Sequence, residues 1–314
     1  MRPSAELAFD VASGLSLGRR DRQEDAVAAD FPVGTGRGFA VLADGMGGHA
    51  AGDVASHIVV SEMFSEIGML IRDPESFEKN IQRLLHTTLA DVNSCIGLYS
   101  QQNPDISIMG ATLLAPILFG ERLYWISVGD SPLFLFRDGE LTRLNEDHSM
   151  AAQIDLMNSQ GMIGDDEANN HPDRNCLTSV LLGRDVPKID CTGNPVRLCP
   201  GDVVIAASDG LQFLSEARIA EILASQKDRR SVEINAALLA EIETLGDPHQ
   251  DNVSLCVIRP LSRISAGSPE PAPSPHEFAN QDGAGTGRSS SVTLLARKHS
   301  DGSSVYCYSK KVTA

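Results

Sequence analysis

The 314-residue sequence predicts an α+β fold in which antiparallel sheets are covered by helices, and three observations carry that prediction. Short runs rich in β-branched and aromatic residues recur along the first 260 residues. Some of these runs adjoin through tight turns, the mark of hairpins and hence of antiparallel pairing. Longer segments with apolar residues every third or fourth position lie between groups of strands, as helices covering a sheet require.

In chain order, the first strand is 39–43, an uninterrupted apolar run (FAVLA) too short for a helix. Residues 52–67 then place Ala55, Val59, Met63 and Ile67 on one helical stripe. The spacing repeats over 74–99 through Phe77, Ile81, Leu85, Leu89, Val92 and Ile96, which predicts one long helix. Strands follow at 112–118, 123–128, 133–137 and 140–144. Between the last two, Asp138-Gly139 suits the positive φ angles of a type I′ turn. Strands 203–207 and 253–258 enclose two further helices, 216–225 and 232–245. No internal repeat is evident.

Residues 1–260 read as one domain. Beyond it the composition shifts to Pro, Gly and Ser with hardly an apolar residue, so 261–291 is expected to be a disordered linker. Residues 292–314 resemble two short strands around Asp301-Gly302, a short tail in hairpin form. Docking on the domain and capture of a partner fit that tail equally.

Composition narrows the function classes. Lys and Arg total 26 against 42 Asp and Glu, a net charge of −16 that disfavours nucleic acid and anionic membranes as partners. The N-terminal stretch lacks the apolar core of a secretory signal, and no apolar run approaches membrane-spanning length. Six widely spaced cysteines form no CxxC pair, which points away from zinc or a redox dithiol and toward reduced thiols in the cytoplasm.

Four apolar strands carry an aspartate at one end: Asp44, Asp130, Asp209 and, leading into its strand, Asp251. Rigid strand ends can hold carboxylates close together, where they repel unless a proton or a cation offsets them. Oxygen donors without Cys or His select hard cations such as Mg²⁺ or Mn²⁺. The plainer reading is that Asp-Gly is a common turn pair, as at Asp138, Asp282 and Asp301. Asp44 and Asp209 differ because a helical segment, not a returning strand, follows each.

The order of motifs adds a resemblance. RDRQEDA (20–26), VLADGMGGHAAGDVAS (41–56), GATLL (110–114), ISVGDS (126–131), AASDG (206–210) and QDNVSL (250–255) together resemble the metal-dependent PP2C (PPM) protein phosphatases of bacterial type. The likeness runs from about residue 15 to 258, roughly four-fifths of the chain. It implies an α-β-β-α sandwich of two antiparallel sheets flanked by helix pairs. It also implies hydrolysis of phosphoserine and phosphothreonine on proteins, by a water or hydroxide bridging two Mg²⁺ or Mn²⁺ ions, in opposition to a bacterial Ser/Thr kinase.

Carried over by position, the resemblance makes Asp44 the bridge between two ions, with the Gly45 carbonyl on one of them. Asp209 and Asp251 complete the first ion's site, and Asp130 with Asp209 forms a weaker third position. Glu24 acts on the second ion through water, Asp25 orients the attacking water, and Arg20 grips the substrate phosphate. A guanidinium fork suits that grip where a lysine would not. His49 and His148 are read as structural. By position, 149–172 is a flap beside the active site. Gln23, Pro132 and the absence of an arginine after Thr178 depart from the common pattern, which bears on substrate choice and the third ion. The competing reading is a catalytically silent module that binds phosphoproteins; loss of a core aspartate would mark it, and none is missing.

Overall fold

The computed structural model describes residues 7–47, 51–105 and 108–262, with the backbone of 289–298 and 304–313. Three strands come first: β1 (Ala8–Ser16), β2 (Asp25–Asp30) and β3 (Arg37–Gly47). Helices α1 (Ala51–Leu70), α2 (Pro74–Lys79) and α3 (Ile81–Gln102) follow. Next are β4 (Met109–Ala111), β5 (Leu113–Phe119), β6 (Arg122–Val128), β7 (Leu133–Arg137) and β8 (Glu140–Arg143). Two short helices, α4 (Ala151–Ser159) and α5 (Asp165–Asn169), precede the two-residue strands β9 (Asp190–Cys191) and β10 (Val196–Arg197). Strand β11 (Val203–Ala207) ends in a 3₁₀ turn (Asp209–Phe213), then come α6 (Glu216–Ser225), α7 (Ser231–Leu245) and β12 (Val253–Leu261). Strands β13 (Ser289–Lys298) and β14 (Ser304–Thr313) are last.

One sheet runs β13-β14-β1-β12-β11-β7-β8, and the other β10-β6-β5-β3-β2 with β4 beside β3 and β9 beside β6. The pairings among described residues are antiparallel. The strand alternation sorts side chains into three apolar layers. Ala40, Leu114, Leu118, Val204, Ala206 and Ile258 meet between the sheets. The opposite faces of the same strands, through Phe39, Val41, Leu113 and Ile117, pack on α1 and α3. Val203, Ile205, Leu255 and Val257 pack under α6 and α7. The result is an α-β-β-α sandwich. Both faces of the central strands are buried, which is why their sequences read as continuous apolar runs instead of alternating ones.

Phe39 is fully buried, its ring centroid 5.0 Å from that of Phe64. Phe39→Ala is expected to destabilise the protein by about 3–5 kcal/mol, read from the midpoint of urea unfolding.

Three departures from the sequence reading have physical causes. The expected single helix over 74–99 is two, broken at Asn80, where φ is −117° and ψ 20°. The Asn80 side-chain amide donates to the Ser76 carbonyl, a local bond that competes with the helical ladder. Periodicity missed the break because Phe77 and Ile81 stay in one buried layer across it. Strands β1 and β2 went unpredicted because they are mostly half-buried and rich in Ala, Gly, Ser and Asp. Strand β3 extends past the apolar run to Gly47, through pairing with β4. The 138–139 turn has the expected angles, φ 52° at Asp138 and 92° at Gly139. Residues 263–288, where the linker was expected, lie outside the described residues.

The single tryptophan, Trp125, sits in the layer between the sheets. Its Nε1 donates to Asp190 Oδ2 (2.8 Å), which also accepts from the Glu146 backbone N–H (3.0 Å). Cys95, Cys176, Cys191 and Cys199 are free thiols. Among the described residues, no helix is long and apolar enough to cross a membrane.

Candidate active site

The strand-end aspartates converge because the two sheets place their ends together. Asp25 and Asp44 are direct cross-strand partners in the β2–β3 ladder. Asp130 follows β6, Asp209 opens the turn after β11, and Asp251 leads into β12. The Asp44 and Asp209 carboxyls lie close enough to influence each other's titration.

Electrostatics records the crowding. Burial pushes the Asp44 carboxyl well above the usual range, and the charges of Asp25, Asp209, Asp130 and Asp251 push it further. Asp130 is raised to about 7, chiefly by burial and then by Asp209 and Asp147. Asp25, only 3% exposed, and Asp209 are raised for the same reasons, burial first. Glu24 is also raised, burial outweighing the nearby Arg20. Arg20 is the cation in contact with the group, its Nη2 2.6 Å from Asp251 Oδ2, with its side chain 55% exposed.

This donor set fits hard divalent cations: several carboxylates, all oxygen, raised in pKa by desolvation and by one another, as a bound cation would offset. Among the described residues, no three acidic, His or Cys side chains converge as a preformed cage for one ion. The backbone makes the close approach: a Cβ on Gly45 would sit 2.0 Å from the Gly52 carbonyl oxygen and 2.6 Å from that of Glu24. A Cβ on Gly52 would be 2.9 Å from Glu24 Oε1. Only glycine fits at either place.

Polar side chains that the sequence reading left without a role hold the carboxylates in position. Thr112 Oγ1 accepts from the Asp44 N–H (2.9 Å), and the Thr112 N–H donates to the Asp44 carbonyl (2.8 Å). Asn252 ties three segments together: Oδ1 accepts from the Glu24 N–H, Nδ2 donates to the Leu17 carbonyl, and its own N–H donates to Asp251 Oδ1. Ser208 Oγ donates to Asp25 Oδ2 (2.7 Å). Gln23, one of the departures, accepts from the Asp25 N–H and donates to the Ser16 carbonyl, linking β1 to the site. Only the type of these residues was visible in the sequence; their partners lie as far as 235 positions away.

Pro132 removes an arginine from the loop after β6, and Arg143 brings a guanidinium there from β8. Its Nη2 donates to the Asp130 carbonyl (2.7 Å) and its Nη1 to Asp147 Oδ2 (2.7 Å). Asp130, Asp209 and Arg143 line a cleft of ≈ 660 Å³, which continues to Ala151, Asp155 and Arg174 beside α4. Helix α4, within residues 149–172, lines this cleft. His148 is fully buried, while His49 lies outside the described residues.

With this geometry in view, comparison with known proteins is specific. The protein phosphatase 2C family pattern matches residues 17–242. The serine/threonine phosphatase stp of Listeria monocytogenes is 35% identical over 191 residues, covering 60% of this chain and 72% of that one. The crystal structure of the Mycobacterium tuberculosis serine/threonine phosphatase PstP/Ppp superposes with a TM-score of 0.66 at 31% identity, covering 82% of this chain and 99% of that one. A PstP catalytic domain solved in complex with two manganese ions superposes at 0.64, with 28% identity and coverage of 81% and 99%. Sequence match, fold and the meeting of the strand-end aspartates agree: the chain belongs to the protein phosphatase 2C family.

Proposed function

We propose that this protein hydrolyses phosphoserine and phosphothreonine in proteins, using two Mn²⁺ or Mg²⁺ ions, and that in a bacterial cytoplasm it opposes a Ser/Thr kinase. The observation that carries the reading is the convergence of Asp25, Asp44, Asp130, Asp209 and Asp251, with Arg20 at the margin. Asp44, Asp209, Asp251 and the Gly45 carbonyl would hold the ions, with Glu24 reaching one of them through water and Asp130 serving a weaker third. When bound, the ions would supply charge that stabilises the phosphoryl oxygens and would lower the pKa of nearby water.

The chain's own groups do the rest. Arg20, exposed at the mouth, presents its fork to the phosphate oxygens and draws the dianion toward the site. Asp25 lies beneath, its Oδ2 fixed by Ser208, where its other oxygen can accept a proton from the attacking water. The cleft beside α4 offers room for the polypeptide around the phosphorylated residue. Free thiols support a reducing compartment.

The test is hydrolysis of a phosphothreonine peptide by wild type and Asp209→Asn. Activity is expected with Mn²⁺ or Mg²⁺, and is expected to vanish on chelation and in the variant. A folded wild type that is inactive with every divalent cation overturns the reading. The kinase relation is tested separately: serine and threonine sites should gain phosphate when the protein is deleted, and an unchanged phosphoproteome refutes it.

A further inference from the structure

We propose that His148 is a positioning residue for the phosphatase reaction, acting through Asp130: its ring fixes Gly129 in the conformation that places Asp130 in the cleft with Asp209. This rests on the function proposed above. Gly129 immediately precedes Asp130 and has φ +107°, a backbone conformation that side-chain-bearing residues avoid. Both of its polar backbone groups are taken by one residue. The Gly129 N–H donates to His148 Nδ1 (3.2 Å), and the His148 N–H donates to the Gly129 carbonyl (3.1 Å). Against its other side lies Thr112, whose Cγ2 would be 2.6 Å from a Cβ on Gly129. Gly129 is therefore wedged between His148 and the residue that holds Asp44.

A space-filling role does not account for the ring. A backbone N–H can only donate, so Nδ1 is the unprotonated nitrogen and the ring proton resides on Nε2. That Nε2–H is buried without a hydrogen-bond partner among the described residues, with Glu146 Oε2 3.7 Å away. An aliphatic side chain would fill the space without burying an unpaired donor. What it could not supply is the acceptor for Gly129. His148 also reaches the chain beyond residues 149–172: its carbonyl accepts from the Thr178 N–H (2.7 Å) and Oγ1 (2.9 Å). One residue thus ties the Asp130 loop to the segment that borders the cleft.

The experiment compares His148→Asn, which keeps an acceptor near the Nδ1 position, with His148→Leu, which does not, each alone and with Asp130→Asn. His148→Leu is expected to lower kcat about tenfold with little change in KM, and His148→Asn no more than about threefold. In the Asp130→Asn background, His148→Leu should cost nothing further. Calorimetric Mn²⁺ titration gives a second readout: His148→Leu should weaken the same binding step as Asp130→Asn and leave the others unchanged. If the leucine variant does not fold, His148→Gln, whose amide reaches the Nε2 position only, should show the same losses. Equal activity in the Asn and Leu variants, or an undiminished Leu effect without Asp130, overturns the proposal. A wild type that neither binds Mn²⁺ nor hydrolyses the peptide overturns the function on which it rests, a separate outcome.

Discussion

Asp44→Asn is expected to reduce turnover by on the order of 10³-fold or more, while raising the melting temperature of the cation-free protein. The two effects share one cause. Asp44 is buried among four other aspartates, and without cations its carboxyl is tolerable mainly when protonated. Asparagine keeps the shape and removes a charge that burial disfavours. The cation-free variant should therefore gain on the order of 1–3 kcal/mol near pH 8. The same substitution weakens a carboxylate proposed to hold the ions, and with it several kcal/mol of the transition-state stabilisation that such ions would provide. Thermal melts after chelation, paired with peptide hydrolysis in Mn²⁺, test both halves. A variant that melts lower than wild type, or keeps a tenth of its activity, would remove Asp44 from the centre.

The second large effect is a pH-dependent stability that divalent cations suppress. Asp25, Asp44, Asp130 and Asp209 all have folded-state pKa values above the unfolded range, and Asp130 lies near 7. Between about pH 4 and those values, the folded protein binds more protons than the unfolded chain. Stability from these groups is fully present below about pH 4 and is lost as pH rises through their raised values, about 7 for Asp25 and Asp130. The sum is on the order of a few kcal/mol, because the groups share protons and do not act independently. Mn²⁺ takes the place of those protons, and at a hundred times its dissociation constant it adds about 2.7 kcal/mol. Denaturant unfolding at pH 5 and pH 8, with chelator or Mn²⁺, measures the difference. A cation-free protein equally stable at both pH values would show that the aspartates are not crowded in solution.

The parts of this architecture legible in the sequence are those that local chemistry dictates. The apolar runs of β5, β6 and β11 announce strands buried on both faces, and Asp138-Gly139 announces its own turn. The aspartates stood out because each interrupts an apolar strand at its end. What stayed hidden depends on distant partners. Thr112 serves Asp44 from 68 positions away, and Ser208 serves Asp25 from 183. Thr112, Ser208 and Asn252 fall inside the motifs GATLL, AASDG and QDNVSL, but nothing local in those motifs says which carboxylate each one serves. The Asn80 break was hidden differently: its cause is local, but the apolar stripe passes across it undisturbed. β1 was missed because its residues are small and half-exposed, and its place between β12 and β14 comes from pairing alone.

Trp125 gives the molecule a built-in optical reporter. As the only indole, wedged between the sheets and bonded to Asp190, it makes the ultraviolet-excited emission a signal from one place. Because Asp190 also holds the Glu146 N–H, two positions before His148, that signal is connected to the root of the flap segment as well as to the interior. A shift of the segment beside the cleft alters the hydrogen bond on the indole while the sheets stay together. Separation of the sheets exposes the ring to water and moves the emission to longer wavelength. A single fluorophore thus distinguishes rearrangement near the active site from unfolding, without a label.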